Sequence, residues 1–68
     1  MTIKQAMQQL KGETFKLWVY FYLKPQPFMF DRKDALTWGI KKDAYYRGIQ
    51  ILEEKEILVK GVEGYELR

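Results

Sequence analysis

The stretch from Phe30 to Leu58, FDRKDALTWGIKKDAYYRGIQILEEKEIL, constrains the chain most. It holds two runs of helical periodicity, 31–38 and 41–55, with room for only a tight corner at Trp38-Gly39-Ile40. Asp31 is placed to cap the first run, because a short carboxylate accepts a hydrogen bond from the unpaired amides of a first helical turn. Ala35 is small where two helices must touch, Gly39 supplies the positive φ that a tight turn demands, and Ile40 plugs the corner from inside. The second run places Tyr45, Ile49 and Leu52 at i, i+4 and i+7 on one apolar face. Its opposite face carries Lys42, Asp43, Tyr46, Arg47 and Gln50, all able to touch phosphates or base edges.

Two more helices are expected before this unit. Over 2–11, Thr2 and Gln5 have capping-box spacing, Ile3, Ala6, Met7 and Leu10 form one narrow stripe, and Gly12 reads as the stop. This helix either covers the core or supplies a dimer contact. Over 13–23, ETFKLWVYFYL, propensity favours a strand. Its length, the stripe Phe15, Trp18, Val19 and Tyr22, and the Lys24-Pro25-Gln26-Pro27 stop favour a helix, and a helix is the expectation. Leu17, Tyr20 and Phe21 lie off that stripe, so the helix is apolar nearly all round. Either the N-terminal helix or a second copy must cover it. After Leu52, the β-prone run Ile57–Lys60, the turn Gly61-Val62-Glu63-Gly64 and the return Tyr65–Arg68 predict a hairpin over 57–68.

With 68 residues the chain has room for one small domain, and its 47% hydrophobic content argues against disorder. Cysteine and histidine are both absent, which removes disulfides, thiol chemistry, Cys- or His-based metal sites and the usual proton shuttle. Asp31, Asp34 and Asp43 fall at helix starts, where capping explains them. No enzyme, cofactor, metal or small-molecule substrate is expected. The start lacks a signal-peptide core and the longest apolar run, Leu17–Leu23, is too short to span a bilayer, so a cytoplasmic protein without a membrane partner is expected. The net charge of +3 is unevenly spread: +2 over 1–23, +3 over 24–47 and −2 over 48–68.

The order helix, helix, short apolar segment, helix, turn, helix, hairpin resembles the compact winged helix-turn-helix domains of phage and plasmid proteins from low-GC bacteria. Ala35, Gly39, Ile40, Arg47, Ile49, Leu52 and the Ile57-Leu58 exit carry the resemblance. It implies a mostly α fold with a small β-hairpin wing, in which Phe28-Met29-Phe30 pairs briefly with the terminal hairpin. It also implies a homodimer that binds double-stranded DNA in replication, transfer or transcriptional control, with Arg47 and the start of the second helix facing the duplex. In that frame Arg47 and Gln50 suit guanine and adenine edges, and Lys42 and Tyr46 suit phosphates. Lys41, Asp43, Arg32, Lys33 and the wing residue Lys60 complete the DNA-facing set.

Three positions depart from the family pattern. Lys41 stands where a Ser or Thr cap is usual, losing about 1 kcal/mol. Glu56 stands where Gly often closes the helix. Gly48 replaces a common Ala at a cost of about 1 kcal/mol in propensity, and would permit close helix approach. Tyr45 is expected in the core, Tyr46 outside it, and Trp38 packed at the corner. The alternative reading is a protein-interaction module that uses the aromatic helix 13–23.

Overall fold

A computed structural model describes all of residues 1–68. In chain order it comprises α1 (Ile3–Gln9), α2 (Gly12–Tyr22), α3 (Arg32–Thr37), α4 (Lys42–Glu54), β1 (Leu58–Lys60) and β2 (Tyr65–Leu67). The fold is helix-rich with a small antiparallel hairpin. No helix is long and apolar enough to cross a membrane.

The local signals for α1 and α3 act as the sequence implies. Thr2 Oγ1 accepts from the Gln5 amide at 3.1 Å, and Gln5 Oε1 accepts from the Thr2 amide at 2.8 Å, closing the capping box. Asp31 Oδ1 accepts from the Asp34 amide at 3.1 Å and caps α3. At the corner, the Ala35 carbonyl accepts from both the Trp38 and Ile40 amides, while Leu36 takes the Gly39 amide. Gly39 has φ of 83°, a value that side-chain-bearing residues rarely adopt, and Ile40 is buried behind it.

α2 and α4 form the central pair. Their axes come close because Gly48 leaves room for Leu17: a Cβ at Gly48 would lie 2.6 Å from Leu17 Cδ2. Tyr45, Ile49 and Leu52 are buried on the α4 face predicted for them. α4 closes through a Schellman motif, in which the Ile57 amide donates to Leu52 O at 2.9 Å and the Glu56 amide to Glu53 O at 3.0 Å. Glu56 holds the left-handed position, with φ of 59°, so the missing glycine is a real strain. The motif's apolar contact comes from Ile57 and Leu52, both buried.

The hairpin pairs Leu58 with Leu67, Val59 with Glu66 and Lys60 with Tyr65. Phe28 adds a third, one-residue bridge, exchanging backbone hydrogen bonds of 2.7 and 2.8 Å with Tyr65. Phe30 stacks on Tyr65 at 4.0 Å and Phe28 on Phe21 at 4.7 Å, which ties the hairpin to α2 through aromatic rings.

Several expectations are corrected. Gly12 does not close α1; it opens α2, and Leu10 caps α1 in an extended conformation. Only Ala6 and Leu10 of the α1 stripe are buried, leaving Ile3 and Met7 exposed. In α2 the buried residues are Leu17, Trp18, Tyr20 and Phe21, whereas Phe15 and Val19 are half-buried and Tyr22 is 48% exposed. A helix apolar on every side carries no internal mark of its inner face, so the docking of α4 against Leu17 chose it. Trp38 is 55% exposed, touching Tyr20 edge-on at 6.0 Å instead of filling the corner.

Candidate nucleic-acid interface

Helical geometry brings five of the nine predicted residues together. At 100° per residue, Lys42, Asp43, Tyr46, Arg47 and Gln50 fall within an arc of about 140°. All five are exposed, and Ala44, Tyr45, Gly48, Ile49 and Leu52 are buried on the other side. Lys41 precedes them as the N-cap residue, exposed and without a side-chain capping bond. The chain's one ion pair is Lys24–Asp34 at 3.5 Å, so Lys41, Lys42 and Arg47 have no carboxylate partner.

The arc is polarised along its length. Lys42 and Arg47 occupy its first turns, and Asp43 there complements the positive end of the helix macrodipole. Glu53 and Glu54 close the same helix, both exposed. A polyanion therefore meets favourable charge in the first half of α4 and repulsion at its end. Tyr46 is 53% exposed, its ring braced edge-on against Tyr45 at 5.6 Å. The Tyr45 hydroxyl is buried, near the Asp31 backbone without closing a hydrogen bond, and burial pushes its pKa up to about 12.

Arg32, Lys33 and Lys60 are exposed but do not belong to that arc. Arg32 and Lys33 stand in the first turn of α3, at the end away from the Gly39 corner, and Lys60 lies on β1 beside the turn. They form separate basic points on other elements. No three metal-ligating side chains converge anywhere in the chain.

The structure also shows positioning residues that periodicity does not mark. Tyr20 Oη donates to Asp34 Oδ2 at 2.7 Å, and Lys24 reaches the same oxygen while its ammonium sits 4.9 Å from the Tyr20 ring centre. The Tyr20 hydrogen bond, helped by Lys24, holds the Asp34 carboxyl below the usual carboxylate range. Burial first, and then the bond to Asp34, raise the Tyr20 phenol above its ordinary value. This cluster fixes α3, and hence the corner that aims α4, onto α2. Gln26 donates to Phe21 O and Lys24 O and accepts from the Leu67 amide at 3.0 Å, joining the end of α2 to β2. These contacts span 14 and 41 residues of sequence, and no local pattern announces them.

No family model, curated protein or solved structure matches the chain. The candidate interface therefore stands on its own geometry.

Proposed function

We propose that this chain is a sequence-specific double-stranded DNA-binding protein of winged helix-turn-helix type, acting by binding alone. The observation that carries the reading is the exposed, unpaired arc Lys42, Tyr46, Arg47 and Gln50, set on a helix that follows a glycine corner. Cations unpaired within the protein are free to replace counterions on phosphates, and Arg and Gln present the forks that match guanine and adenine edges. Lys41, Arg32, Lys33 and Lys60 add phosphate contacts, and Asp43 orients the helix start. The family resemblance supplies the setting: cytoplasmic replication, transfer or transcriptional control of a phage or plasmid. It also supplies a homodimer, for which the exposed Ile3 and Met7 of α1 offer a contact.

The test is a fluorescence-anisotropy titration of random duplex DNA at about 50 and 200 mM salt, followed by selection of preferred sites. Binding should weaken steeply with salt. Arg47→Ala should cost about 1–3 kcal/mol and relax base preference at one position, and Lys42→Ala should lower the salt slope by about 1. Absence of salt-dependent binding at low ionic strength would end the reading. A solution mass of one chain, with and without DNA, would remove the dimer alone.

A further inference from the structure

The outer side of α2 carries a second, differently built surface. Leu17 faces α4, and Val19 lies about 200° round the helix from it, on the opposite side. There Phe15, Val19, Tyr20 and Leu23 form one wall and Trp38 and Ile40 the other wall of an open groove of about 310 Å³. Leu23 is 61% exposed, so the chain itself does not cover this wall. From Phe15 to Leu23 the groove runs about 12 Å, the length of two helical turns.

Charge selects the occupant. Lys16 is the one charged residue lining the groove, and its ammonium is held at the wall by a 3.1 Å bond to Gly39 O. That bond uses one of three donors and leaves two for a ligand. Lys11 is the N-cap residue of α2 and Lys41 follows Ile40 in the chain; both are exposed and have no ion pair. The nearby Asp34 is already engaged by Tyr20 and Lys24. A second copy docked face to face would bring its own Lys16, and no carboxylate, in the lining of its groove. Glu13, exposed three residues before Lys16, is the one carboxylate of α2; an apolar strip whose lining carries only positive charge instead suits an amphipathic helix flanked by carboxylates.

We propose that the groove between α2 and the Trp38–Ile40 corner docks an acidic amphipathic helix of a partner protein, with its apolar anchors along Phe15, Val19 and Leu23 and a carboxylate on Lys16. The groove opens on the side of α2 away from Leu17, its corner wall leads into Lys41 at the start of α4, and the proposal does not depend on the DNA reading.

The probe is a peptide of about fourteen residues with leucines at i, i+4 and i+7 and glutamates between, compared with the same peptide bearing lysines. In a ¹⁵N NMR titration the acidic peptide should shift Val19, Leu23 and the Trp38 indole and leave Tyr46–Gln50 unmoved. Leu23→Glu and Trp38→Ala should each weaken it about tenfold with the Tm preserved, since both side chains are exposed. Lys16→Met, which keeps the aliphatic stem, should weaken it about threefold. Arg47→Ala should change nothing. Equal binding of the lysine peptide, shifts confined to 42–50, or no saturable binding would each overturn the proposal. Concentration-dependent self-association abolished by Leu23→Glu would overturn it too, and give the groove to a second copy.

Discussion

α2 and α4 are neighbours of similar length, packed on each other through Leu17 and Gly48, yet their outer faces differ in kind. α4 divides sharply: apolar residues go inward, and cations, an amide and a tyrosine go outward. α2 is apolar nearly all round, so its outer side is made, Lys16 apart, of the same residue types as its inner side. An outward polar face is at no cost in water and gains when a charged polymer arrives. An outward apolar face loses free energy in water and gains when another apolar surface covers it. One core thus carries two outer surfaces of different chemistry, and the contact at Gly48 lies beneath both.

That contact gives the largest expected effect. Gly48→Val should lower stability by roughly 2–3 kcal/mol in urea unfolding, because its side chain enters the space Leu17 fills. Gln50→Ala on the outer α4 face and Leu23→Ser on the outer α2 face should each stay within about 0.5 kcal/mol. If either outer substitution cost as much as Gly48→Val, the division into one inner contact and two free faces would be wrong. Next comes the end of α4: Glu56→Gly should stabilise by about 1 kcal/mol, relieving the left-handed strain while keeping the Schellman bonds. A loss of stability would mean that the Glu56 side chain holds the helix end.

The smallest effect is a pH dependence, read at the link between α2 and α3. Below the ordinary carboxylate value an unfolded Asp34 binds a proton that the folded one, with its lowered pKa, does not. Stability therefore falls as pH drops through that window. Tyr20→Phe removes the leading cause, so the Asp34 pKa should rise in an NMR titration and the acid decline in Tm should become shallower. At alkaline pH the sign reverses: the raised phenols of Tyr20 and Tyr45 favour the folded protein until pH climbs past the ordinary phenol value, after which stability is lost. Tyr20→Phe should soften that loss as well.

Much of the α3–α4 unit was legible because its signals are local. The Asp31 cap, the Gly39 φ and the Tyr45, Ile49 and Leu52 stripe each lie within a few residues of what they control. The same holds for the outward placement of Tyr46, Arg47 and Gln50, which follows once the inner stripe is known. α1 shows where local reading fails: four apolar residues fit one stripe, but α2 covers only Ala6 and Leu10. Trp38 shows it again, since a large ring beside a corner packs inside only if the corner has room, and Ile40 took that room.

The sequence by itself determined the order of helices and hairpin, the corner and the polar arc, because periodicity, capping and backbone preference act over a turn or two. Tertiary structure alone decided which side of α2 faces inward, that Lys16 stands at the wall of an open groove, and that Gln26 and the Tyr20–Asp34 bond lock distant elements together. An all-apolar helix has no preferred face until another element docks on it, and contacts across 14 to 41 residues exist only once the chain has folded.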